Sequence, residues 1–323
     1  MENKTQYIMK DIRSKLEWLK RNTEHNVVYI ALQGSQNYEM DIYSEEYKSD
    51  IDVKAIILPT LDDILKGKKM VSHTYVMDDN SHIDVKDIRL YIDLWSKANP
   101  SYLEILFTEY SIVCNSRFRY IIHMADDIAM MNRDRLLSSI KGMAYEKRKA
   151  LQHPYPTIRD KIEKLGYDPK QLHHLMRLNQ MMEDIFYDNK SFRKALIPSN
   201  MKDTIREVKL GKIGCEEAVI MADKIIEIMT IRSKNIREIH YFEFNDTTYY
   251  DLKEVIYDII KAELIRGIMV QKNDFVDLKR VKQPMKDTKG RIRELLLNDG
   301  CTNDEMVEYD LISYYNLYNH WEK

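Results

Sequence analysis

Asp50 and Asp52 stand two positions apart at the head of the apolar stretch DIDVKAIILP, residues 50–59. Across a gap of fourteen residues before them, Gly34-Ser35 ends another apolar stretch, NVVYIALQ at 26–33. In an extended chain alternate side chains share a face, so both carboxylates can reach one cation. Unneutralised they repel each other; a hard ion such as Mg²⁺ relieves that, and Mg²⁺ favours few carboxylates together with water and phosphate oxygens. A third acid, Asp84, sits within SHIDVK at 81–86, from which a neighbouring strand can carry it toward the same place. Three carboxylates on adjacent strands make the ligand set of a two-metal phosphoryl-transfer site. Gly34-Ser35 supplies the complementary part. A glycine lets the backbone approach phosphate oxygens, a helix start beyond it offers free N–H groups, and Ser35 adds a hydroxyl.

These residues need elements to hold them. Ile8, Ile12, Leu16 and Leu19 recur at helical steps and predict an amphipathic helix ending near Asn22. Strands are expected at 26–33, 50–59 and 81–86, with a fourth in YSIVCN. Between the second and third, TLDDILKGKKM reads as a short helix with Thr60 as its N-cap and Asp62-Asp63 in its first turn. DIRLYIDLWSK reads as a helix halted before Asn99-Pro100, and from about Ser116 the period is helical almost without interruption. The expected class is α+β: an N-terminal mixed sheet with flanking helices, followed by an all-helical region. The expected divisions are 1–125, 126–244 and a helix-rich extension at 245–323.

Composition removes several alternatives. The 323 residues carry 50 Lys+Arg against 52 Asp+Glu, with 44% apolar and 32% charged residues, which suits a globular chain and not a disordered or collagenous one. No apolar run approaches the ~20 residues that span a bilayer, and the N-terminus lacks the apolar core of a signal peptide, so a cytoplasmic protein without membrane partners is expected. Cys114, Cys215 and Cys301 lie far apart with no CxxC, which excludes a disulfide framework and a cysteine zinc site. Neither GxGxxG nor GxxxxGK[ST] occurs, so a nucleotide site must be built from other parts.

The segments GSQNY, SDIDVKAI and HIDVKDIRLYIDLWSKANPSYLEIL together resemble the DNA polymerase beta-type nucleotidyltransferase superfamily, particularly its bacterial and phage RNA-repair-associated members, which show GSxxYG, SDxDxxG and NPxxLE. The resemblance implies a nucleotidyltransferase catalytic domain in 1–125. It also implies that Asp50 and Asp52 bind both metals, Mg²⁺ or Mn²⁺, that Asp84 completes the metal at the acceptor hydroxyl, and that Gly34-Ser35 holds NTP phosphates. In this chain Glu39 stands where the family's second glycine would be. A distant second match, Gly166-Tyr167-Asp168-x-Lys170 followed by His174 and Arg177-Leu178, resembles the family's GYDxKxxxHxxRL. On a helix, Lys170, His174 and Arg177 fall at about 0°, 40° and −20°, a cationic stripe suited to a triphosphate or RNA phosphate. Leu172, Leu175, Leu178 and Met182 fall on the opposite, core side.

The leading expectation is a metal-dependent nucleotidyltransferase moving an NMP from an NTP to a hydroxyl, with an RNA 3′ end, such as that of tRNA, as acceptor. The alternatives are a toxin or resistance-type enzyme acting on a protein or small molecule, and a non-catalytic RNA-binding protein. Basic clusters at Arg133–Lys149 and Lys272–Arg293 suit phosphate backbones. Asn99–Glu104 is expected to be a helix-to-helix turn with a packed Leu103, and His173 is expected at the surface.

Overall fold

The computed structural model describes residues 4–43, 49–198 and 201–275. Met1–Ala262 forms one compact unit and Glu263–Lys323 a second; the site described below lies in the first. The basic run after residue 275, and with it most of the expected C-terminal extension, lies outside the described residues.

Five strands, β1 (Asn26–Gln33), β2 (Asp52–Leu58), β3 (Ser72–Val76), β4 (His82–Asp87) and β5 (Ser111–Val113), form one sheet in the order β3-β4-β2-β1-β5. The sheet is mixed. β2 runs parallel to β4, and the other neighbours are antiparallel. The helices are α1 (Lys4–Asn22), α2 (Leu61–Leu65), α3 (Ile88–Ser96), α4 (Pro100–Leu103), α5 (Phe118–His123), α6 (Ala125–Met130), α7 (Arg133–Ala150), α8 (Arg159–Leu165), α9 (Pro169–Phe186), α10 (Phe192–Leu196), α11 (Lys202–Lys209), α12 (Cys215–Ile239) and α13 (Asp246–Phe275). This is the α+β class expected, a mixed sheet followed by helices. No helix among the described residues is long and apolar enough to cross a membrane.

The alternation of the strands divides the sheet's faces. Ile30 and Leu32 of β1, Val53, Ala55 and Ile57 of β2, and Ile83 and Val85 of β4 pack with Ile8, Ile12, Leu16 and Leu19 of α1. Burying each of the valine, leucine and isoleucine side chains is worth about 1.5–3 kcal/mol, which fixes the strand registers by fixing which face is apolar. The intervening residues, Asp52 and Lys54 on β2 and His82, Asp84 and Lys86 on β4, are thereby turned to the other face. Thr60 caps α2 in a capping box with Asp63, as the sequence suggests. β3 has no counterpart in the expected elements. It is an exposed edge strand whose pairing with β4, not an apolar pattern, makes it a strand.

Candidate active site

β1 ends in a turn whose geometry depends on Gly34, at φ 118° and ψ −154°, a region essentially closed to other residues. The single 3₁₀ turn that follows, Ser35–Tyr38, is tied down on several sides. Asn37 Nδ2 donates to the Leu32 carbonyl at 2.9 Å, and Gln36 Nε2 donates to the Asp50 carbonyl at 2.8 Å. The turn therefore sets the position of Asp50 directly. Glu39 keeps a left-handed backbone at φ 56° and pairs with Lys202.

Asp50 precedes β2 and Asp52 begins it, opposite Gln33 of β1. The Asp52 Oδ1 atom accepts the His82 backbone N–H at 2.8 Å, with His82 Nδ1 3.3 Å away. Ser49 is buried, and its hydroxyl accepts the Ile42 N–H at 3.0 Å, closing the loop before Asp50.

The opposite wall is α9, and the GYD segment aims it. Gly166 ends α8 at φ 78°, and a Cβ there would lie 2.6 Å from Cys215 Sγ. Tyr167 is buried and donates to the Ile213 carbonyl at 2.8 Å, while Asp168 caps α9 by accepting the Lys170 N–H, with Pro169 as first helical residue. Lys170, His173, His174 and Arg177 consequently face the Gly34 turn.

A cavity of about 200 Å³ lies between these walls, lined by Gly34, Ser35, Tyr38, Ser49, Asp50 and Asp52 on the sheet side and by Lys147, Lys170, His173, His174, Arg177 and Lys209 on the helical side. Pockets for drug-sized ligands span roughly 300–1,000 Å³, so the enclosed part suits phosphates more than a whole nucleotide. Seven of the eight residues singled out in the sequence meet here: Gly34, Ser35, Asp50, Asp52, Lys170, His174 and Arg177. Asp84 does not line the cavity. Its Oδ2 and Oδ1 accept from Lys54 Nζ and Lys86 Nζ, each at 2.9 Å. Burial raises its pKa, but the two ammoniums outweigh that and hold it below the usual carboxylate value.

The helical wall differs from a solvated cationic stripe. Arg177 is 4% exposed, its guanidinium 3.6 Å from the ring centroid of Tyr38. Its Nε and Nη1 have no hydrogen-bond partner. His173, expected at the surface, is 1% exposed because α9 is packed on nearly every side, and both its ring nitrogens lack partners. Burial, assisted by Arg177, Lys209 and Lys170, pushes its pKa down to about 3. His174 is shifted well below its usual value by burial and by His173 and Arg177, so neither ring is a cation at neutral pH.

Three further groups were not assigned to the site from the sequence, Lys147 being one of the Arg133–Lys149 basic cluster, Glu104 the end of the Asn99–Glu104 turn, and Lys209 unmarked. Lys147 of α7 and Lys209 of α11 look like any surface lysine in a charged helix, and only packing turns them inward. Burial pushes Lys209 down to about 8, with Lys170 adding to the shift and Asp41 and Asp50 opposing it; its Nζ donates to the Met40 carbonyl at 2.6 Å. Glu104, in the Asn99–Glu104 turn where Leu103 is indeed packed, is 1% exposed, with neither carboxylate oxygen in a hydrogen bond of ordinary geometry. Burial pushes its pKa up to about 8, against the pull of Arg177 and the Gly34 backbone N–H.

The basic run Arg133–Lys149 is partly consumed within the fold. Arg148 binds Asp223 through both ends of its fork at 2.6 and 3.0 Å, and Arg133 lies 4.9 Å from the Phe242 ring centroid. Arg135 and Lys149 stay exposed.

Asp50 and Asp52 fit one hard divalent ion, since two carboxylates on a polar cavity wall leave its remaining positions to water and phosphate oxygens. Among the described residues no three His, Cys, Asp or Glu side chains converge as a metal site.

No protein-family profile matches the chain, and no curated protein matches it either. Among solved structures, a crystal structure of a nucleotidyltransferase-like protein from Exiguobacterium sibiricum 255-15 aligns with 80% of this chain and 92% of its own length, at 10% identity and a TM-score of 0.30. So loose a superposition carries no weight for function.

Proposed function

We propose that this protein is a metal-dependent nucleotidyltransferase that moves a nucleoside monophosphate from an NTP to a hydroxyl and releases pyrophosphate. One observation carries the reading. Two carboxylates face Lys147, Lys170, Arg177 and Lys209 across a cavity entered by a glycine-serine turn. A site with anions on one wall and cations on the other, too small for a whole nucleotide, suits a metal-chelated phosphate chain.

In this reading Asp50 and Asp52 hold the divalent ion, Mg²⁺ or Mn²⁺, which when bound supplies charge neutralisation at the phosphates and a more acidic acceptor hydroxyl. Ser35 and the backbone N–H groups of the turn hold phosphate oxygens. Arg177 and the lysines take the pyrophosphate, whose charge grows as the bond between the α-phosphorus and the bridging oxygen breaks. The hydroxyl oxygen forms the new bond and its proton leaves to solvent. The protein mainly positions the reactants.

The acceptor proposed is an RNA 3′ end in the cytoplasm. Exposed Arg135 and Lys149 support it, since they lie on the same helix that sends Lys147 into the cavity. Incubating the protein with each α-labelled NTP, Mg²⁺ or Mn²⁺ and total RNA tests the reading. Label in RNA is expected. Label in protein points to a protein-modifying enzyme, and no label with any of the four NTPs rejects the proposal.

A further inference from the structure

Asp84 is part of a built cluster and not a loose carboxylate. Register places it beside Lys54 on the parallel neighbour β2, and both of its oxygens are engaged, by Lys54 and Lys86. Lys54 is 4% exposed, and its ammonium also lies 4.4 Å from the ring centroid of Tyr102. Lys86 donates in addition to Ser72 Oγ at 2.9 Å. Tyr102 is itself anchored, because its carbonyl accepts the indole N–H of the buried Trp95 at 2.9 Å.

A divalent ion on Asp84 would have to displace two ammoniums or sit beside them. The first strips Lys54 of its carboxylate partner in a buried position, and the second sets a dication against two fixed positive charges at short range. The residues therefore do not fit the second metal that the sequence resemblance implies at Asp84.

We propose that this protein binds a single divalent ion, at Asp50 and Asp52, and that the Lys54 ammonium, held by Asp84 and Tyr102 and close enough to Asp52 to interact with its charge, takes up the carboxylate that a second ion would need. The proposal rests on the reading of Asp50 and Asp52 as metal ligands. Lys54 and Asp84 are positioning residues here, neither being assigned contact with the reacting atoms.

Counting Mn²⁺ tests this without turnover. The probe is Mn²⁺ with saturating α,β-methylene-ATP, read as protein-bound Mn²⁺ per chain and as the electron paramagnetic resonance spectrum. Two Mn²⁺ at the spacing of about 3.5–4 Å usual in two-metal sites are magnetically coupled. The wild type is expected to bind one uncoupled Mn²⁺, retained in Asp84→Asn and lost in Asp52→Asn. Lys54→Met with Lys86→Met, which frees Asp84, is expected to bind two, coupled. A coupled pair in the wild type that becomes one ion in Asp84→Asn overturns the proposal and leaves the functional reading standing. No bound Mn²⁺ in the wild type overturns both. Asp84→Asn is nearly isosteric, so the comparison holds even where the double variant does not fold.

Discussion

The guanidinium of Arg177 lies 3.6 Å from the ring centroid of Tyr38, joining the helix of the GYD segment to the turn of the GSQNY segment. The contact explains how a buried arginine is tolerated, since a cation over an aromatic face is attracted even when desolvated. It leaves Nε and Nη1 without hydrogen-bond partners, a cost that a bound anion removes. Arg177→Lys keeps the charge but loses the planar fork. It is expected to weaken Mg²⁺–α,β-methylene-ATP binding by about 1.5–3 kcal/mol, the scale of a hydrogen bond to a charged group. Unchanged affinity in low-salt calorimetry would remove Arg177 from the phosphate site.

Glu104 makes folding stability depend on pH. Its folded pKa of about 8 stands above the ordinary 4.5, so the native state holds a proton that the unfolded chain releases. The stability this contributes is fully present below pH ~4.5 and is lost as pH rises through about 8. Glu104→Gln, a neutral isostere, is expected to flatten that dependence, gaining on the order of 3 kcal/mol over wild type between pH 5 and 8. Parallel pH profiles from urea denaturation would count against a protonated Glu104.

Gly34→Ala tests the turn. A Cβ would meet nothing closer than Gln36 Oε1 at 3.9 Å, so space is not the obstacle; the backbone at φ 118° is. Strain of about 1–3 kcal/mol is expected, a fall of several degrees in Tm, together with weaker nucleotide binding. An unchanged Tm means that the turn does not require this conformation.

Phosphate binding should be linked to protons through Lys209. Its pKa of about 8 leaves it partly neutral at pH 8, and a phosphate beside it favours the charged form. Binding of Mg²⁺–α,β-methylene-ATP at pH 8 is expected to take up protons, and affinity to fall as pH rises from 7 to 9. Calorimetry in buffers of different ionisation enthalpy measures the uptake, which Lys209→Met should reduce. Equal uptake by wild type and variant assigns the linkage elsewhere.

The parts of the site visible in the sequence were those fixed by local rules. The strand expected from Asp50 begins at Asp52, so alternation orients Asp52 while Gln36 of the Gly34 turn holds Asp50 beside it; the helical period brings Lys170, His174 and Arg177 to the other wall. What stayed hidden depends on burial. The helical wheel orders the residues of α9 correctly, yet it cannot tell a solvated stripe from one packed against the Gly34 turn, and so His173 was expected at the surface. Lys147 is legible only as one of the Arg133–Lys149 basic cluster and Lys209 carries no local mark, because the helices around them decide that they turn inward. Asp84 was legible as an acid on the next strand. Its partner Lys54 was not, because their pairing comes from the parallel register of β2 and β4, which no spacing within either strand encodes.

The central claim is that Asp50 and Asp52 serve chemistry and not folding. The measurement that tests it most directly is transfer of label from α-labelled NTP to RNA by wild type, Asp50→Asn and Asp52→Asn, with Tm recorded for each. Loss of one metal-binding charge forfeits several kcal/mol at the transition state, and each ~1.4 kcal/mol is tenfold in rate. The account predicts transfer by wild type, at least a hundredfold loss in both variants, and a Tm close to wild type, because Asn keeps the shape of Asp and, at position 52, the acceptor for the His82 N–H. Transfer at wild-type rates by either variant would contradict it.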